Sequence, residues 1–256
     1  MNRGSGVPPF RRPEVRSDAL IRLICLPHGG GGASAYHDWA AHLPPEIELL
    51  AYHPPGRGPR RSEAAHEDMA SAVAALLAAL GPYLDRPIAL FGHSVGAAIA
   101  VAAAQALEAG GRAALLRVFA SGHAAPTQSP RPGAANATMA HLATDDALWA
   151  QVAELGLTAE LAAADAALRE IALPAIRADF KISELWRPDA TPPLRAPLSV
   201  LAGADDPIAP AASMAGWDAF ASAPVERLIF PGGHFFTQSA RDDVLDALAR
   251  RQISLQ

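Results

Sequence analysis

Ser94 stands in Phe91-Gly92-His93-Ser94-Val95-Gly96-Ala97. Glycine two positions to either side lets a serine sit at the apex of a tight, strained turn with its hydroxyl held clear of the chain. The chemistry this allows is nucleophilic attack. A serine hydroxyl is a weak nucleophile at neutral pH, so it needs a base to take its proton and a carboxylate to orient that base. Of nine histidines, three follow Ser94: His123, His141 and His234. His234 lies in Phe230-Pro231-Gly232-Gly233-His234-Phe235-Phe236, where an apolar run ends and glycines permit a tight loop. Between Ser94 and His234, Gly203-Ala204-Asp205-Asp206-Pro207 offers two neighbouring carboxylates.

The elements that must position these groups come next. Ile88 to Phe91 reads as a buried strand and Val95 to Glu108 as a helix, so Ser94 joins strand to helix. Gly-x-Ser-x-Gly in that setting is the nucleophile elbow of α/β-hydrolases. That fold orders its groups as Ser, then Asp or Glu, then His, with the last two on loops after late strands. His234 fits as the base, whereas His123 follows the very next strand and His141 falls in a helical stretch. The Gly-x-x-Asp spacing favours Asp206 as the acid, with Asp205 as the alternative. The Val95 N–H supplies one donor to an oxyanion. The run His28-Gly29-Gly30-Gly31-Gly32, after the apolar strand Leu20 to Leu26, supplies the other through Gly29 or, alternatively, Gly30. No Lys-Ser/Thr pair follows those glycines, so they do not read as a phosphate loop.

Further strands are expected at Ile47 to Tyr52, Leu115 to Ala120, Leu198 to Leu201 and Val225 to Phe230. Helices are expected at about 35–42, 67–83, 210–221 and 241–250. Between Ser121 and Pro193 the alternation stops. Asp145 to Leu155 reads as helical with Thr144 as its cap, and Glu160 to Trp186 as helical with a break or kink at Pro174. A long helical excursion inside an alternating β/α chain reads as a lid, here about 123–193. The expected architecture is one doubly wound, mostly parallel α/β domain over 19–256, with 1–18 as a flexible tail.

The bulk composition agrees with a globular domain. The chain has 256 residues, 50% of them hydrophobic and 18% charged, with net charge −5. The absence of any strongly basic block argues against nucleic acid as a partner. No stretch reads as a secretory signal or a membrane span. The single cysteine, Cys25, lies in an apolar run, reads as an inert buried thiol, and fits a cytoplasmic setting.

Several segments together resemble the type II (external) thioesterases of polyketide and nonribosomal peptide assembly lines. They are Pro27-His28-Gly29-Gly30-Gly31, Pro55-Gly56-Arg57-Gly58-Pro59-Arg60, the elbow around Ser94, Leu173-Pro174-Ala175-Ile176-Arg177-Ala178-Asp179-Phe180, and Pro231-Gly232-Gly233-His234-Phe235-Phe236. The resemblance runs from about Leu20 to Arg250, and the Pro-Gly-Arg-Gly and Arg-Ala-Asp-Phe stretches are its most specific parts. It implies hydrolysis of acyl groups from the phosphopantetheine arm of a carrier protein domain, a monomer, and no metal or bound cofactor. The lid is then expected to form the acyl pocket. His123 stands where the family often has Arg, and His53-Pro54 replaces a plainer apolar approach to the arginine loop. Arg57 reads either as lining the site or meeting the phosphopantetheine phosphate, or, preferred, as a structural ion pair inside its own loop; Asp179 reads as a structural pairing residue, and Trp149 and Trp186 as lid core. The same triad also serves esterases, lactonases and acyltransferases. A silent docking module is the remaining alternative, although it has no need of all three residues.

Overall fold

The computed structural model describes residues 6–111, 114–127, 139–154, 166–188 and 192–253. Seven strands form a single sheet: β1 (Phe10–Arg11), β2 (Ile21–Leu26), β3 (Ile47–Tyr52), β4 (Ile88–His93), β5 (Leu115–Ser121), β6 (Leu198–Gly203) and β7 (Glu226–Phe230). Their order is β1-β3-β2-β4-β5-β6-β7. All pairings are parallel except β1 with β3. Every residue of β2, β3, β4 and β6 is buried, as mostly apolar strands in a sheet covered on both faces should be.

Side-chain alternation divides the core into two layers. Ile24, Leu26 and Leu90 face α1 (Met69–Leu80) and α2 (Val95–Gly110), along with Trp217. Leu23, Cys25, Phe91 and Phe119 face the opposite layer, with Trp39, Val244 and Leu248. The chain leaves β2 toward β3 on one side and returns to β4 on the other, so the order reverses between β2 and β4. In open parallel sheets ligands bind in the crevice at that reversal, beyond the carboxyl ends of the strands. The glycine run follows β2 and Ser94 follows β4, so both lie there.

Over the crevice sit α3 (Asp145–Glu154) and α4 (Ala166–Leu185), which occupy the excursion. Thr144 caps α3, its Oγ1 accepting from Ala147 N at 3.3 Å. These helices share a small core of Leu148, Val152, Leu173 and Ile176. Of the break or kink expected at Pro174, the break does not occur, since α4 runs through it; residues 160–165 of the expected helix lie outside the described residues. Trp186 also differs from expectation, since it packs into the main core beside Trp217 and not into the lid cluster, which Trp149 flanks. The helices expected at 35–42 and 210–221 are short 3₁₀ turns, Ala33–Tyr36 and Ala40–His42, and a 3₁₀ stretch, Ala211–Phe220. The described residues end on helix α5 (Arg241–Ile253).

The largest correction concerns the tail. Residues 1–5 lie outside the described residues, but from about residue 9 onward the segment is fastened down. Phe10 is buried and pairs opposite Tyr52, and Pro9 O accepts from His53 N at 2.8 Å. The fully buried Glu48 accepts from Arg12 Nε and from Arg22 Nε, both at 3.0 Å. Burial alone raises the Glu48 carboxyl, but Arg12 and Arg22 outweigh it and hold the group below its ordinary value. The Arg16 guanidinium donates to the carbonyls of Leu43, Pro44 and Ile47 at 3.0, 2.6 and 2.9 Å. Two of the arginines that look like a tail's charges therefore satisfy buried acceptors.

Candidate active site

Ser94 has φ 56° and ψ −125°. Among the described residues it is the one non-glycine with positive φ. A side chain in that region is strained unless its surroundings dictate it. Here they do: Ser94 N donates to Ser121 O at 2.8 Å while Ala97 N donates back to Ser94 O at 2.8 Å. The apex is thus tied both to the neighbouring strand and to the first turn of α2, and Ser94 stays half-buried.

The loops after β6 and β7 bring Asp206 and His234 together. His234 Nδ1 donates to Asp206 Oδ2 at 2.9 Å, and both residues are buried. The other carboxylate oxygen, Oδ1, accepts Ile208 N at 2.9 Å and Ala209 N at 3.1 Å. Burial pushes the Asp206 carboxyl upward, but the His234 hydrogen bond, the His234 charge and these two backbone donors hold it below its usual value. Asp205 is exposed and makes its contact through the backbone, N to Gly232 O at 3.0 Å, so Asp206 is the carboxylate of the two that meets His234. With Nδ1–H committed to Asp206, His234 Nε2 is the nitrogen left to act as a base. Of the other histidines after Ser94, His141 lies in the lid, where its Nδ1 faces Glu184.

The glycine run lies beside Val95. A Cβ at Gly29 would stand 4.0 Å from Val95 Cγ1, so the two candidate donors are neighbours. Gly30 N–H is already engaged by Asp179 Oδ2 at 2.7 Å. Asp179 also pairs with Arg57, whose Nη2 donates to Oδ1 at 2.8 Å. The expectation that Arg57 pairs inside its own loop is therefore corrected: its partner stands on α4. A small pocket opens between Val95 and the lid, lined by Tyr52, Ile99 and Ile182 with Arg57 and His66 among its polar members. Among the described residues the lid contributes Asp179 and Ile182 to it; most of the described wall comes from the loops after β2 and β3, with the ends of those strands, α1 and α2.

Other histidines crowd the site, and the sequence assigned them no contacts. His93 Nδ1 lies 3.0 Å from Ser121 Oγ, and its ring is 5.0 Å from that of His234. His93 Nε2 is buried without a hydrogen-bond partner. His123 bridges to the lid: Nδ1 donates to Ala124 O at 2.6 Å, and Nε2 accepts from Ser183 Oγ at 3.0 Å. Their glycine-rich or strand-end settings were visible, but nothing local in the sequence marks which elements pack onto them.

Burial holds these rings neutral. It lowers His28 to about 4, assisted by the charges of His234 and Arg57. It also lowers His123 to about 4, against the hydrogen bond to Ala124. His93 is driven well below its ordinary value. In the unfolded chain each protonates near 6.5. Folding stability should therefore be full above pH 6.5 and fall as pH drops from 6.5 toward 4, by at most on the order of 3 kcal/mol for each histidine held near 4. Denaturant midpoints measured from pH 7.5 to 4.5 test this, and a flat profile across that window would contradict it.

Among the described residues no group of three or more His, Cys, Asp or Glu side chains could hold a metal ion. Burial raises the Cys25 thiol well above its ordinary value, so it is poorly suited to act as a nucleophile. No helix among the described residues is long and apolar enough to cross a membrane.

The mostly parallel sheet, its reversal between β2 and β4, and a strained serine elbow leaving β4 define an α/β-hydrolase fold. Comparison with known proteins narrows the class. A thioesterase-domain family model matches residues 21–252, and the chain belongs to that family. It is 34% identical over 230 residues to the thioesterase PikA5 of Streptomyces venezuelae, covering 89% of this chain and 79% of that protein. It is also 34% identical over 241 residues to a probable cadicidin biosynthesis thioesterase of Streptomyces griseus, covering 94% of this chain but only 65% of that relative's length. Among solved structures, the type II thioesterase BorB from the borrelidin biosynthetic cluster superimposes with a TM-score of 0.86 at 35% identity, covering 98% of this chain and 99% of that one.

Proposed function

We propose that this chain hydrolyses acyl thioesters carried on the phosphopantetheine arm of carrier protein domains, through an acyl-enzyme on Ser94. The observation that carries the catalytic part is the buried His234–Asp206 hydrogen bond of 2.9 Å beneath a strained serine elbow. The carrier-bound substrate rests on similarity to thioesterases of antibiotic clusters and on the matching Arg57 and Asp179 segments.

In this reading His234 Nε2 takes the Ser94 Oγ proton as Oγ attacks the thioester carbon. The carbonyl electrons move to oxygen, and the N–H groups of Val95 and Gly29 hold that charge. Gly29 is favoured over Gly30 because the Gly30 N–H already serves Asp179. The oxyanion collapses, the C–S bond breaks, and the sulfur takes the proton from the His234 imidazolium and leaves as the thiol. A thiol of ordinary pKa near 8.5 leaves readily, so departure asks less of the acid than an amine would. Water, deprotonated by His234, then attacks the acyl-enzyme; the acid departs and Ser94 regains its proton. The carbonyl is polarised by backbone donors and the proton moves through His234, so the scheme needs no metal or cofactor. A monomer working in the cytoplasm beside its synthase completes the proposal.

The test compares equal acyl groups presented on holo-carrier protein, on free pantetheine and as oxygen esters, with a fluorophosphonate probe reporting on Ser94. We expect the carrier-bound thioester to give the highest kcat/KM. Equal turnover of oxygen esters would favour a general esterase. Failure of the probe to label Ser94 would favour a binding module.

A further inference from the structure

Asp179 is 6% exposed and sits on α4, 122 positions from Arg57. Its carboxylate holds two different parts of the site at once. Oδ2 accepts Gly30 N–H at 2.7 Å, and both oxygens accept from the Arg57 guanidinium. Arg57 Nη1 reaches on to Gly31 O at 3.3 Å. The ion pair therefore grips the glycine loop from both sides, through the N–H of one residue and the carbonyl of the next. Direct packing joins the same elements. Gly30 has φ +73°, and a Cβ there would lie 2.7 Å from Ile176 Cγ1 of α4, while the Cβ position of Gly29 is 3.6 Å from Asp179 Cβ.

Stability is a poor explanation for placing charges here. A buried ion pair gains little over apolar side chains of similar volume, because desolvation offsets its attraction. A charged acceptor on a backbone N–H does something an apolar residue cannot: it fixes one orientation of that peptide plane. The plane fixed here adjoins the Gly29 N–H. We infer that Asp179 is a positioning residue that sets the oxyanion loop, and that it does so only while α4 is seated. Seating of the lid and completion of the oxyanion site are then one event, and an open lid leaves the serine without its second donor. This rests on the serine-hydrolase reading above.

Two charge-free double variants isolate the acceptor. Arg57→Leu with Asp179→Asn keeps an oxygen for Gly30 N–H; Arg57→Leu with Asp179→Leu does not. Measured on an acyl-pantetheine thioester, the Leu/Leu variant should lose about 10–100-fold in kcat relative to the Leu/Asn variant, with KM within about threefold. Affinity for a tetrahedral alkyl boronate should fall in parallel, and affinity for the non-hydrolysable thioether of the substrate should not. Single Asp179→Asn, retaining an acceptor oxygen, should keep more kcat than Asp179→Ala, with circular dichroism and melting confirming that each is folded. Equal kcat in the two double variants, or equal losses of boronate and thioether affinity, overturns the inference, as does Asp179→Ala folded with wild-type kcat. If neither double variant folds, the single variants decide it. If the unaltered protein binds the boronate no better than its Ser94→Ala variant does, the serine-hydrolase reading fails first, whatever Asp179 does.

Discussion

Ser94→Ala should lower kcat on a carrier-bound thioester by about 10³-fold or more, with the folded protein otherwise intact. The nucleophile is removed outright, and any residual rate comes from substrate binding and the oxyanion donors. The stability cost should be small, within about 0.5 kcal/mol. The half-buried Oγ fills no core volume, and alanine at φ 56° is no more strained than serine there. Asp206→Asn should act on the same step by another route. Its Oδ1 can still accept from Ile208 and Ala209, but an amide facing His234 Nδ1 no longer holds the imidazole in the required tautomer, at a cost of up to about 10⁴-fold in kcat. Single-turnover kinetics with thermal melts measure both. Wild-type turnover by a homogeneous Ser94→Ala preparation would remove the serine from the mechanism.

Gly96→Ala should abolish the elbow as a structure. A Cβ at position 96 would lie 2.3 Å from Leu26 O and 2.6 Å from Pro27 O. At position 92 it would lie 2.0 Å from Gly96 O. All of these are backbone atoms, of β2, its exit loop and α2, so no side-chain rotation relieves the clash. Either α2 shifts off β2, or the pairing that places the glycine loop beside Val95 is lost. We expect a loss of more than about 4 kcal/mol, seen as a collapsed denaturant midpoint or insoluble expression. Gly32→Ala is the control: nothing lies within 4 Å of its Cβ position and its φ is −141°, so it should change stability by less than about 0.5 kcal/mol. A Gly96→Ala protein with the unaltered midpoint would show that this close approach is not obligatory.

The core strands were legible because a parallel sheet buried on both faces demands near-continuous apolar runs, and β2, β3 and β4 supply them apart from the paired Arg22 and Glu48. Asp206 and His234 were legible because chain order and glycine spacing restrict where a late strand can present them, although their hydrogen bond was not. β1 escaped because two residues after Pro8-Pro9 carry no periodicity; pairing with β3 makes the strand. Pro174 looked like a breaker, yet α4 continues through it, held by packing against the lid core and the glycine loop. The link between Arg57 and Asp179 was out of reach for a different reason. Each residue looked structural, but nothing local says that loop and lid meet, and only the fold joins them.

The short strand at the amino end has one more consequence. A parallel sheet that stopped at β3 would present six buried residues and a row of open peptide groups, a template on which another chain could add itself. The fold covers the carboxyl end of that edge, Ala51 and Tyr52, with two paired residues, and ahead of them stand two prolines that lack an N–H to offer. Glu48, neutralised by Arg12 and Arg22, locks this border in place. The segment that reads as a tail thus caps part of an edge strand, at the far side of the sheet from the loops that carry Asp206 and His234.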